Sequence, residues 1–319
     1  MDRSFAVGVD LGGSHVSAGI VDTEGRLICR YEKSIKKSDS AENIILNDLF
    51  GLIKECLDKV DSDSKYVKGV GIGIPGRTDS KKGICVFAPN LRWKNVYIAE
   101  ILKEKTPLPI FILNDVRAMA VGEKVFGNGK NVENFVCIAI GTGIGGGLVL
   151  NGQLVLGSSE GAGEIGHITI DINGPECGCG NRGCAETFAS GPAIVARGVK
   201  ILNRYPDSIM ATEEFLSPKI IYEAALQNDE AALTIWKDTG TYLGRLVASI
   251  ATTIDPQLVL FSGKVSRAID FFLPGLKAEL KARAKMIDSE KIMFARSKFE
   301  DEAGIVGNAA RVFESLKLL

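Results

Sequence analysis

One of the two histidines and three of the seven cysteines fall in a single short stretch. His167, Cys177, Cys179 and Cys184 are spaced His-x9-Cys-x-Cys-x4-Cys. Three thiolates and one imidazole form the donor set of a closed tetrahedral zinc site. With no open ligand position, such a zinc is structural and not a Lewis acid. Gly174, Gly178, Gly180 and Gly183 permit the turns that would converge the sulfurs; the competing reading is a reduced, metal-free loop. Glu164 and Glu186 flank the cluster. Carboxylates there either accept hydrogen bonds from a polyhydroxylated ligand or stand as solvated surface charges.

Three other segments carry possible chemistry. Asp10-Leu11-Gly12-Gly13-Ser14 ends an apolar run. Glycines in a strand-to-strand turn let backbone N–H groups approach an anion, Ser14 adds a hydroxyl, and Asp10 can face a metal ion. A plain hairpin has the same pattern. Gly141-Thr142-Gly143-Ile144-Gly145-Gly146-Gly147 packs five glycines into seven residues. That costs backbone entropy, which close approach to a phosphate chain explains; the competing reading is a bare turn. It is neither a Walker A motif nor a strand-to-helix dinucleotide fingerprint. Asn114-Asp115 follows the apolar run Ile110–Leu113. A carboxylate there points into the crevice at the strand ends and can take a proton from a hydroxyl, or it is a helix N-cap.

These segments need a scaffold, and the 319 residues suffice for two domains. A 45% hydrophobic and 24% charged composition excludes disordered and fibrous classes. The net charge of −1 gives no overall basic field for nucleic acid or acidic lipid. Two tryptophans and 7% aromatics leave little material for base stacking. MDRSFAVGVD does not read as a signal peptide. Asn134–Ser159 is uncharged, but seven glycines break it and favour strand–turn–strand over a membrane span. The expectation is a cytoplasmic protein in which Cys29, Cys56, Cys85 and Cys137 are buried thiols.

Alternation and turn signals predict strands over Phe5–Asp10, Val16–Val21 and Arg26–Tyr31. A helix is expected over Ser40–Val60, capped by Ser40 or Asp39, with Ile44, Ile45, Leu49, Leu52, Ile53 and Leu57 on one face. Strand Val67–Ile74, helix Val96–Lys105, strand Pro109–Leu113 and helix Asp115–Phe126 follow. The second half restarts as the first does, with a hairpin of Phe135–Ile140 and Gly146–Leu150 around the second glycine turn. Helices are then expected near 190–204, 211–227, 229–254, 266–284 and 303–317, with strands Leu258–Phe261 and 291–295. Such alternation is α/β. The lobes expected are 1–115, to which the helix of 304–319 returns, and a larger 116–303 carrying the cysteine loop.

Taken together and in order, these motifs resemble the ROK family of repressors, uncharacterised reading frames and sugar kinases. The resemblance runs through Asp10–Ser14, Gly71–Gly76, Asn114-Asp115, Gly141–Gly147, Glu164–His167 and the Cys-x-Cys-Gly-x-x-Gly-Cys-x-Glu signature at Cys177–Glu186. Ala88-Pro89-Asn90-Leu91-x-Trp93 looks most like the bacterial glucokinase branch. The resemblance implies an actin-like ATPase (ribonuclease H-like) α/β fold, two lobes around a central cleft. It implies transfer of the ATP γ-phosphate to a hexose 6-hydroxyl, with Mg2+ and structural Zn2+. Asp115 would be the general base, while Gly76, Asn90, Asn114, Glu164, His167 and Glu186 hold the sugar. Asp10, Gly12, Gly13, Ser14, Thr142, Gly143 and Gly263 would face ATP. Zinc would fall to His167, Cys177, Cys179 and Cys184. A homodimer or homotetramer is implied, without nucleic-acid or membrane partners. Glucose leads; N-acetylmannosamine, mannose and fructose are the alternatives within the family, and a sugar-responsive repressor is the alternative outside catalysis. The motif begins by residue 10 with no basic recognition helix before it, which counts against the repressor. Departures from the family pattern are Val116-Arg117-Ala118-Met119 after Asn-Asp, Ser14 in place of Thr, and His15; Arg117 is expected to alter the cleft entrance.

Overall fold

The computed structural model describes residues 4–35 and 42–319. The cap expected at Asp39 or Ser40 lies outside them. The chain divides into two compact units, one of residues 1–131, 147–162 and 301–319, the other of 132–146 and 163–300.

In the first unit the predicted meander forms as β1 (Phe5–Leu11), β2 (His15–Asp22) and β3 (Leu27–Ser34). Helix α1 (Glu42–Val60) follows, then β4 (Val67–Ile74). The face that α1 buries is Ile45, Leu46, Leu49, Leu52, Ile53 and Cys56. Ile44, expected on that face, is exposed because the stripe turns one position further round. Strands β5 (Arg77–Asp79), β6 (Ile84–Ala88) and β7 (Trp93–Val96) make a small separate antiparallel sheet. Helix α2 is therefore only Ile98–Lys103, shorter than predicted, since Trp93–Val96 pairs as a strand. Strand β8 (Ile110–Asn114) leads directly into α3 (Asp115–Phe126).

The main sheet runs β3-β2-β1-β4-β8. β1 pairs antiparallel with β2 and parallel with β4, and β4 pairs parallel with β8. Its core includes Val7, Val9, Val70, Ile72 and Ile112. The parallel strands are buried on both faces, which is why they read as unbroken apolar runs.

In the second unit β9 (Phe135–Ile140) precedes β10 (Ile144–Leu150), which runs on into the first unit and ends in the short β11 (Gln153–Leu154). Helices α4 (Glu186–Ala189), α5 (Gly191–Ile201), α6 (Pro218–Leu226) and α7 (Glu230–Ile254) follow, then β12 (Leu258–Ser262), α8 (Ile269–Arg283) and β13 (Met293–Arg296). The sheet order is β11-β10-β9-β12-β13, with β12 parallel to both β9 and β13.

The last helix, α9 (Ala303–Ser315), returns to the first unit and lies against β1 and β4. Helix α3, expected to open the second lobe, packs on α9 within the first unit. The helices approach so closely that a Cβ on Gly122 would lie 2.9 Å from Gly307 Cα. Among the described residues, no helix is long and apolar enough to cross a membrane. Cys56, Cys85 and Cys137 are buried as expected, while Cys29 is half-buried.

Candidate active site

The first unit holds Asp10, the first glycine turn, Gly76, Asn90, Asn114 and Asp115. Asp10 stands one residue before the end of β1, in register with Ser17 of β2 and Gly73 of β4. Its carboxylate rests on Gly304, where a Cβ would come within 2.4 Å of Oδ2. Burial pushes the Asp10 carboxyl above the usual carboxylate range, against the opposing pull of His15 and Arg30. Beyond it, Gly12 N–H donates to the His15 carbonyl at 2.9 Å and Ile35 N–H to the Ser14 carbonyl at 2.7 Å. Ser14 Oγ and His15 Nδ1 are hydrogen-bonded at 3.0 Å. Asn90 sits in the single helical turn Pro89–Leu91, beside Gly13.

At the end of β8 the two alternatives for Asn114-Asp115 separate. Asn114 is the cap of α3: its Oδ1 accepts from Val116 N–H at 3.1 Å and Arg117 N–H at 3.2 Å. Its Nδ2 donates to the Gly76 carbonyl at 3.1 Å. Gly76 has φ +102°, and a Cβ there would lie 2.3 Å from the Phe87 carbonyl oxygen. A side chain is excluded at that position, so the chain turns close under Asn114. Asp115, one step into the helix, accepts at Oδ1 from Val116 N–H at 2.9 Å and stays partly exposed.

The second unit holds Thr142, Gly143, Glu164, His167, the cysteines, Glu186 and Gly263. Glu186 is brought onto the second glycine turn, where its Oε2 accepts from Ile144 N–H at 2.9 Å. A Cβ on Gly143 would stand 2.3 Å from the same oxygen. Gly191 N–H donates to the Gly141 carbonyl at 2.8 Å, closing the turn from its other side. Thr142 is exposed at the tip. Glu164 is exposed and leads into the helical turn Ile165–His167. That turn packs on β10, where Gly166 would place a Cβ 2.1 Å from the Ile144 carbonyl oxygen. Gly263, at the end of β12, abuts the Ile140 carbonyl of β9.

The ligand atoms of His167, Cys177, Cys179 and Cys184 all lie within 4.8 Å of one another. Cys177 Sγ is 3.7 Å from His167 Nδ1, and Cys179 Sγ is 3.7 Å from Cys184 Sγ. Zinc–sulfur bonds of ~2.3 Å at tetrahedral angles put sulfurs about 3.8 Å apart, so the donor set fits that ion. The hairpin carrying them depends on Gly183, whose φ is +70° and whose Cβ would lie 1.7 Å from the Asp171 carbonyl oxygen. Burial pushes the Cys184 thiol up to about 12, with Cys177 and Cys179 adding to the shift. A bound cation reverses that balance and deprotonates the thiols outright.

Two features escape sequence reasoning. Arg117 is 1% exposed, with Nε donating to the Ala162 carbonyl at 2.9 Å. It is drawn inward because position three of a helix capped by Asn114 faces the core. Asn308 of α9 is fully buried and donates through Nδ2 to the carbonyls of Val9 and Gly304, both at 2.8 Å. It thus fixes both backbone segments against which Asp10 sits. A polar residue inside the apolar stripe of a C-terminal helix was the available signal.

The ROK family model matches residues 6–314. The glucokinase of Halalkalibacterium halodurans is 32% identical over 312 residues, covering 96% of this chain and 94% of that one. The xylose repressor of Bacillus subtilis is 34% identical over 279 residues, covering 88% of this chain and 69% of that one. Among solved structures, a ROK family glucokinase from Streptomyces griseus, in complex with glucose and AMPPNP, superposes with a TM-score of 0.84. It is 29% identical, covering 96% of this chain and 98% of that one. The α/β fold is accordingly that of the actin-like ATPases. With the Cys177–Glu186 signature in place and the match running nearly end to end, the chain belongs to the ROK family.

Proposed function

We propose that this protein is an ATP-dependent hexose kinase, with glucose the leading acceptor, that phosphorylates the sugar 6-hydroxyl. The observation that carries the reading is Asp115: a partly exposed carboxylate opening α3, relieved of the main capping role by Asn114, the residue that binds the Gly76 carbonyl. The glucokinase relative and the glucose- and AMPPNP-bound neighbour support it.

In this reading Asp115 orients the 6-hydroxyl and accepts its proton as the bond from the hydroxyl oxygen to the γ-phosphorus forms and the bond from that phosphorus to the ADP oxygen breaks, ADP leaving. Asn90, Asn114, Glu164, His167 and Glu186 take the remaining hydroxyls, with the Gly76 backbone beneath. His167 offers Nδ1 to the metal, which leaves Nε2 for the sugar. A zinc held by His167, Cys177, Cys179 and Cys184 would supply no chemistry beyond fixing the loop from Glu164 to Glu186. Gly12, Gly13, Ser14, Thr142 and Gly143 are the residues that would receive the phosphates through backbone N–H groups, with Gly263 toward the adenosine. Asp10 suits magnesium, which binds through one or two carboxylates and neutralises phosphate charge in transfer. Most of the rate then comes from positioning and charge stabilisation.

The test is a coupled ADP-release assay with Mg-ATP and a panel of glucose, mannose, fructose and N-acetylmannosamine. Glucose should give the highest kcat/KM; a higher value for another hexose would reassign the substrate, and no turnover with any would remove the kinase reading. The similarity to the xylose repressor favours a second reading, a sugar-binding regulator. Salt-dependent, sugar-sensitive binding to duplex DNA without turnover would establish it. The proposal includes a cytoplasmic homodimer or homotetramer, which sedimentation of the purified chain checks.

A further inference from the structure

The segment Gly157–Ala162, separated from Glu164 by Gly163, is exposed at Gly157, Ser158, Ser159 and Gly161. Two charged side chains hold it within the first unit. Glu160 accepts at both carboxylate oxygens from Ser80 N–H, at 3.0 and 2.9 Å, and from the Ser80 hydroxyl at 2.7 Å. Arg117 Nε, from the helix that carries Asp115, donates to the Ala162 carbonyl at 2.9 Å. Glu160 adopts φ +53°, a left-handed conformation that a residue with a Cβ resists. A carboxylate that accepts three hydrogen bonds on one partner offsets that strain, because bonds to an ionised acceptor are the strong ones.

Both fastenings sit next to the sugar-side elements of the first unit. Ser80 follows β5, which starts directly after Gly76, and Arg117 N–H is one of the two donors that Asn114 caps. Asn114 in turn binds the Gly76 carbonyl. A continuous set of polar contacts therefore links Gly76, Asn114, Arg117 and Ala162.

We propose that Glu160 and Arg117 are positioning residues that strap residues 157–162 and so hold the chain ahead of Glu164. They touch no substrate; they act by fixing a carboxylate that does. The inference rests on the kinase reading for the role of Glu164, but not for the strap itself.

The experiment uses the full-length protein with Glu160→Gln, Ser80→Ala, Ser80→Thr and Arg117→Lys. For each, hexose KM, ATP KM and kcat are measured, together with amide exchange by mass spectrometry over residues 161–167. Glu160→Gln is expected to raise hexose KM about tenfold, as loss of charge-assisted bonds and misplacement of a binding group would, with ATP KM within about twofold. Ser80→Ala should follow it more weakly, Ser80→Thr should restore the wild-type value, and the double variant Ser80→Ala/Glu160→Gln should be no worse than Glu160→Gln alone. Arg117→Lys, a conservative change at a buried site, should raise hexose KM in the same selective way if it folds. A folded Glu160→Gln protein with unchanged hexose KM, or with hexose and ATP KM rising together, would overturn the proposal. If the wild type phosphorylates no hexose, the kinase reading falls and amide exchange decides: faster exchange over 161–167 in Glu160→Gln upholds the strap, and unchanged exchange rejects it.

Discussion

The turn at Gly12–Ser14 is held by its own backbone and by Ser14 against His15, whereas the turn at Gly141–Gly145 borrows the Glu186 carboxylate, 42 residues beyond Ile144. The glycines differ accordingly. A Cβ on Gly13 would meet only Asn90 Cβ at 3.5 Å, an ordinary contact, while one on Gly143 would strike Glu186 Oε2 at 2.3 Å. A Cβ on Gly143 would have to displace the tip of the Glu186 side chain, whereas one on Gly13 would displace nothing. The second turn thus depends on a carboxylate two residues beyond the four-donor hairpin.

Breaking that dependence should have the largest effect. Cys179→Ser removes one of four donors, and zinc is expected to fall from about one per chain to near zero by elemental analysis, with sugar affinity falling alongside. Undiminished metal content would remove Cys179 from the ligand set. Gly143→Ala comes next. Displacing Glu186 should weaken both hexose and ATP by about tenfold, since one carboxylate serves the turn and the sugar. A loss confined to ATP would separate those two roles. The smallest change separates ligand contact from packing most cleanly. Gly13→Ala should leave Tm within about 1 °C, because the site is open, yet raise ATP KM several-fold by blocking close backbone approach. An unchanged ATP KM would take Gly13 out of the phosphate site.

The parts legible in the sequence were those with a period or a fixed spacing. β4, α3 and β9 fall where the pattern puts them, because buried parallel strands and a capped amphipathic helix carry their own signal. The four-donor cluster was legible for the same reason: cysteine and histidine spacing is chemistry written locally. The β5–β7 sheet was not, since its strands are three to five residues long and no alternation develops over that length. The membership of α3 in the first unit was hidden as well, because it depends on Gly122 meeting Gly307, a contact between distant segments. Arg117 misled for a related reason: an arginine reads as surface until its partner, the Ala162 carbonyl, is placed. Glu186 was found as a candidate, but its seat on the glycine turn was not foreseen.

The central claim, that Asp115 readies a sugar hydroxyl for phosphoryl transfer, is tested most directly by Asp115→Asn. The substitution keeps size and hydrogen-bonding shape but removes the proton acceptor. Turnover with glucose and Mg-ATP should fall by at least ~10²-fold, while glucose affinity measured by calorimetry stays within about threefold of wild type. Near-normal turnover in a folded Asp115→Asn protein would contradict the account.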